Sequence, residues 1–205
     1  MGGSLFLLIL VSANLILSKV GKYYINQTLN KNLESYIGEI EDLRVNVFLG
    51  EYTIENLTLF KRDEKTKPLL SIQTLTSTID LENIFDRKIG LDISLYNSEI
   101  NLIDKEDQKQ NQVGYKEETN KHWSNIFNTI VPLDINHFNA EKININFWHP
   151  NSGKQPFNLF FNKMSSRDIL APQNYKNDQS PVQSFGSINH SADFKFNGSI
   201  NFTEE

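Results

Sequence analysis

The chain is predicted to be mainly β, an antiparallel sheet behind an N-terminal membrane helix, and three observations predict this. Leu5 to Leu17 reads LFLLILVSANLIL, diluted only by Ser12, Ala13 and Asn14. Beyond about residue 40, apolar and polar residues alternate in short runs, the period of half-buried strands. A strand-break-strand unit also recurs, clearest at 92–102 and 134–145, where an Asn-containing break interrupts the alternation in both copies. Each unit reads as a pair of strands with one apolar face.

The first element is the anchor. Leu5–Leu17 alone has the length of a signal-peptide core, whereas Gly2–Val20 is just long enough to span a bilayer. No basic residue precedes the run, and Lys19, Lys22, Tyr23 and Tyr24 follow it. Tyrosines and lysines at that edge read as membrane-interface anchors, so an uncleaved helix over residues 1–20 is expected, with a basic flank missing upstream. Taken alone, the positive-inside rule would place Lys19 and Lys22 in the cytoplasm.

Residues 21–37 read as a second helix that caps the sheet, with apolar Tyr24, Ile25, Leu29, Leu33 and Tyr36 near helical spacing and Gly38 as its stop. Residues 38–205 carry the strands. Leu43, Val45, Val47 and Leu49 share one phase and Gly50-Glu51 marks a turn. Tyr52 and Ile54 then share a phase that Leu57 and Leu59 do not, which requires a bulge or kink at Glu55-Asn56. Lys61–Pro68 reads as a hairpin loop, Leu70–Leu81 as a strand, and Asn83–Asp86 as a turn or short helix. The polar stretch near 104–121 reads as a mobile loop. Trp123, Ile126, Phe127 and Ile130 form the face of a short helix ended by Pro132. After the second copy of the repeat come a turn at Pro150–Gly153, a partner strand at Phe157–Phe161, a loop flanked by Ala171-Pro172 and Gln179–Pro181, and a last hairpin through Ile188 and Phe194–Phe202. An apolar strand at the end of a chain is an aggregation hazard, so the natural polypeptide is expected to continue.

Composition narrows the function classes. A net charge of −5 with scattered lysines argues against nucleic acid, whose phosphates need a concentrated basic face. The absence of cysteine removes disulfides, thiolate metal sites and Cys nucleophiles. His122, His137, His149 and His190 are far apart with no ligand spacing, so no metal is expected. The carboxylates of Asp80-Leu81-Glu82 and Asp104–Asp107 lie at turn and loop signals and read as solvated acids. The glycines are isolated, with no phosphate-binding loop, and no Ser sits in a nucleophile elbow. No catalytic residue, cofactor or enzyme activity is expected. Several Asn-x-Ser/Thr matches, such as Asn26-Gln27-Thr28, arise readily in a chain this rich in Asn.

The order of anchor, helix, Gly-containing turn at Tyr36-Ile37-Gly38, and Gly50-Glu51-Tyr52-Thr53-Ile54 closing a strand resembles the AsmA-like superfamily of bacterial envelope proteins. It is most similar to the large branch still described as domains of unknown function. The later segments Trp123-Ser124, Ile135–Phe138 and Ile143–Phe147 are similar to that branch's next block. The resemblance implies a curved antiparallel sheet of the repeating β-groove type, anchored in the inner membrane by one helix with its bulk in the periplasm. It also implies phospholipid as the partner, bound or passed between membranes along the apolar groove.

Val45, Val47, Leu57, Leu59, Ile93, Leu95, Ile143 and Ile145 are the candidate groove residues. The same stripe also fits the filled core of a sheet covered by helices. A second expectation is a scaffold module that recruits an envelope protein by adding a strand to its sheet edge.

Overall fold

The N-terminal segment forms one uninterrupted helix, α1 (Gly2–Lys31), in a computed structural model that describes residues 2–31, 33, 35–79, 90–103, 134–149, 155–169 and 179–201. The anchor and capping helix read separately from sequence are therefore continuous. α1 ends at Lys31, and Gly38 lies inside a strand rather than stopping the helix. Among the described residues no helix is long and apolar enough to cross a membrane, so the membrane-spanning helix is not supported.

Among the described residues nine strands follow: β1 (Tyr36–Glu39), β2 (Asp42–Asn46), β3 (Glu51–Lys61), β4 (Leu70–Ile79), β5 (Gly90–Ile103), β6 (Asp134–Trp148), β7 (Phe157–Ile169), β8 (Gln179–Ile188) and β9 (Ala192–Asn201). They form one open sheet in the order β1-β3-β4-β5-β6-β7-β8-β9, with β2 beside β1 on the same edge of β3. The fold is mainly β, as the alternation predicted. Pairing is antiparallel throughout except between β5 and β6, which run parallel.

That parallel pair corrects the reading of the repeat. Each copy is one long strand, and the two copies lie side by side in register from Gly90↔Asp134 to Ile103↔Trp148. The break in each copy is a single left-handed residue, Asn97 (φ 52°) or Lys142 (φ 57°). Reversing a chain takes at least two turn residues, so one such residue kinks the strand without turning it back. Val47 and Leu49 likewise leave the strand assigned to them and belong to the turn after β2.

The expected kink at Glu55-Asn56 is present, because Asn56 has φ 51°. It belongs to a row that crosses the sheet. The ladders skip Asn56 opposite Gln73, Gln73 opposite Asn97, Asn97 opposite Lys142 and Lys142 opposite Asn162. The break between β1 and β2 continues the same line, where Glu41 N–H donates to Glu55 O. This crease lets residues three apart share a face. Leu43, Ile54, Leu75, Leu95 and Ala140 form one cross-strand row before it. Leu57, Ile72, Ser98, Ile143 and Phe161 form a row on the same face after it.

The core divides in two. Beneath α1, Leu29 and Leu33 pack with Tyr36, Ile40, Leu43, Ile54, Leu57, Leu59, Leu69, Ile72 and Leu75. A smaller cluster joins Leu91, Ile93 and Ile135, and Leu95 packs against both. Burial of these side chains is the main stabilising term. The opposite face of the sheet is largely polar. Near one end it holds a chain of buried amides, in which Asn158 donates to Asn146 (2.9 Å) and Asn146 donates to Asn101 (3.1 Å). The expected helix at Trp123–Ile130, the loop near 104–121 and the turns at 83–86 and 150–153 lie outside the described residues.

Candidate functional site

The site is built by the way α1 meets the sheet. The outer edge of β1 and β2 has no strand to pair with among the described residues, and an edge of this kind must be satisfied or covered. α1 supplies partners from residues spaced four apart, which fall along one helix face. Asn14 Oδ1 accepts from Val47 N–H (3.0 Å), and Ser18 Oγ accepts from Val45 N–H (3.0 Å). Lys22 donates to Glu41 O. Asn26 answers both groups of Ile40, accepting from its N–H (2.7 Å) and donating to its C=O (3.2 Å). At the helix C-terminus Arg62 donates to the carbonyls of Asn30 (2.8 Å) and Leu33 (3.0 Å), where a cation is favoured.

The helix is thus held along the edge and leans over the sheet face. Gly21 marks the closest approach, since a Cβ there would stand 2.6 Å from Leu43 Cδ2. Around this contact a cavity of about 490 Å³ opens between helix and sheet, within the range of ligand-sized pockets. Leu17, Tyr24, Ile25 and Leu29 form its helical wall, and Leu43, Val45, Val47, Tyr52, Ile54 and Ile79 form most of the sheet side. Thr28, Asn46 and Glu51 contribute the polar lining. Such a surface can accept hydrocarbon and offers its few polar groups to whatever stands at its margin. Glu51 is the one carboxylate of this lining, which also carries the hydroxyls of Thr28, Tyr24 and Tyr52. Among the described residues no group of three or more His, Asp or Glu could hold a metal ion.

The eight groove candidates separate into three groups. Val45 and Val47 line the cavity. Leu57 and Leu59, 2% and 1% exposed, belong to the core beneath α1. Ile93, Leu95, Ile143 and Ile145 lie farther along the same sheet face, with Ile93 and Ile143 buried and Leu95 and Ile145 half-buried. Of the four interface candidates, Tyr24 stands at the cavity wall, Lys22 holds the sheet edge, and Lys19 and Tyr23 are exposed.

Sequence reasoning missed Leu17, Ile25, Leu43, Tyr52, Ile54 and Ile79 as cavity walls, because they come from elements far apart in the chain. A usable signal was present. Polar Asn14, Ser18, Lys22, Asn26 and Asn30 recur every four residues along the helix, which marks a face that meets backbone rather than lipid or core. No family model matches the chain, and no curated protein matches it.

Proposed function

We propose that the chain is a non-enzymatic lipid-binding module that sits at a membrane and holds acyl chains on the α1-facing side of its sheet. The observation that carries this reading is the apolar cavity between α1 and β2–β4, walled by Leu17, Ile25, Val45 and Ile54. Its helix continues into the exposed apolar residues Val11, Leu15, Ile16 and Val20. An acyl chain moving from a bilayer along α1 would reach the cavity without crossing a charged surface. Each methylene withdrawn from water contributes roughly 0.8 kcal/mol, so affinity needs no sequence-specific contact. From the cavity the same face extends through Leu95, Ile145, Leu159 and Ile188 toward the far edge. The resemblance to AsmA-like envelope proteins supports the same assignment: an inner-membrane attachment, a periplasmic sheet forming a curved groove, and phospholipid as cargo.

Photocrosslinking from Val45 and Ile145 in cells, with Leu59 and Gln73 as comparisons, tests it. Phospholipid adducts at Val45 and Ile145, but not at buried Leu59 or at exposed Gln73, are the expected result. Capture of intramolecular peptides alone would end the lipid reading.

One observation favours a second reading, recruitment of a protein strand. β9 pairs with β8 on one side and with no strand among the described residues on the other. A crosslinked protein at β9 together with lipid-free protein from cells would select it.

A further inference from the structure

We infer that the β2–β3 turn, Val47-Phe48-Leu49-Gly50, is a second membrane contact, a wedge that enters the bilayer beside α1. The inference rests on the membrane attachment proposed above, but not on lipid occupying the cavity. Three consecutive apolar side chains project from the turn, with Val47 45%, Phe48 74% and Leu49 52% exposed. An aqueous hairpin of four residues would ordinarily carry polar residues at its tip.

Several of its backbone donors are also answered from within the protein. Val47 N–H donates to Asn14 Oδ1 (3.0 Å), Leu49 N–H to Asn46 Oδ1 (3.3 Å), and Gly50 N–H to Val47 O (3.3 Å). Backbone in hydrocarbon must be satisfied internally, because water is absent there. Gly50, at φ 61°, supplies the left-handed residue that closes the turn.

The position along the helix fits the same role. Asn14 sits in the most apolar part of the chain and fixes the tip beside Val11, Leu15, Ile16 and Leu17, all exposed. Lys19 lies five residues farther on, roughly 7 Å along the axis. With that ammonium among headgroups, the tip reaches the boundary between headgroups and acyl chains, the depth at which amphipathic surface elements settle. Tyr23 and Tyr24, both strongly exposed, lie on the aqueous side of Lys19, as interfacial aromatics do. The polar Asn14 side chain is directed to the hairpin, so helix and turn present one apolar surface.

The chain has no cysteine, so single labels report single positions. The full chain is reconstituted with vesicles of phosphatidylcholine and phosphatidylglycerol after labelling Phe48→Cys, Leu15→Cys or Lys65→Cys with an environment-sensitive fluorophore. Lys65 lies in the turn at the other end of β3. The expected result is a blue shift at 48 and 15, with emission at both lost to quenchers carried on the acyl chains, while the label at 65 behaves as in water. Quenching at 15 with an aqueous label at 48 would overturn the wedge and leave the attachment standing. Aqueous labels at both positions would overturn both. A label at 48 shielded from water yet insensitive to lipid-borne quenchers means contact between copies of the chain, and also overturns the wedge. Phe48→Asp supplies a second variant: its thermal unfolding should be unchanged, because the residue is exposed, while Leu15 quenching becomes shallower.

Discussion

The two edges of the sheet solve the same problem differently. At the β1–β2 edge, α1 answers backbone groups of Ile40, Glu41, Val45 and Val47 with its own side chains. Beneath that helix lies the larger core, with Leu57 and Leu59 almost fully enclosed. At the β9 edge no described element lies alongside, and the strand instead carries Asp193, Lys195 and Asn197 between half-exposed Phe194 and Phe196. Alternating charge is a common guard against edge-to-edge pairing. The difference teaches that the helix fixes one end of the sheet both by burial and by hydrogen bonding, whereas at the other end the described strand offers only its own alternation of polar and aromatic side chains.

The largest expected effect comes from the core under the helix. Leu59→Ala should destabilise the protein by about 2–5 kcal/mol, whereas Phe196→Ala at the open edge should cost about 1 kcal/mol or less. Urea denaturation of both variants checks this, and equal losses would break the contrast between the edges. Next comes the hydrogen-bonded seam. Asn26→Ala leaves both backbone groups of Ile40 without their partner, a loss of about 1–3 kcal/mol. Amide exchange at Ile40 should accelerate with it, while exchange in β9 stays unchanged.

A smaller effect concerns association rather than stability. Lys195→Val should leave unfolding within about 0.5 kcal/mol of the parent but promote oligomers in size-exclusion chromatography. If association does not change, composition is not the guard at that edge. The smallest effect is at the crease. Lys142 is held above its ordinary pKa first by its hydrogen bond to the Tyr96 hydroxyl (2.6 Å) and also by the neighbouring Glu141 carboxylate. A raised folded pKa means that the contribution is fully present below the unfolded value, about 10.4, and fades as pH rises through the folded one. Lys142→Met should therefore flatten a slight alkaline loss of stability above that value, seen as converging melting temperatures of the two proteins at high pH.

Much of the fold was legible because burial writes itself as a period. The strand character of 51–61, 70–79 and 157–161 follows from alternation, and the phase change between Ile54 and Leu57 located the kink at Asn56. Pairing direction was not legible. A single left-handed residue, Asn97 or Lys142, and a two-residue turn leave nearly the same trace in sequence, so β5 and β6 read as hairpins although each is one strand. The cavity was legible only at Val45 and Val47. Its remaining walls depend on the angle at which α1 crosses the sheet, which is set by contacts such as Gly21 against Leu43 that no local pattern encodes.

The crease gives these strands something like a reading frame. On each strand it resets which residues count as facing α1, so Leu95 and Ser98 agree although an odd number of steps separates them. With its neighbours' register kept, deleting Asn97 would shift that frame, and every later residue of β5 would take the place of the one before it, presenting Glu99 and Asn101 where Ser98 and Ile100 now stand. A one-residue loss in a surface loop would be absorbed locally. Here it would invert half a strand in the middle of the sheet, so the row from Asn56 to Asn162 should tolerate insertion or deletion poorly.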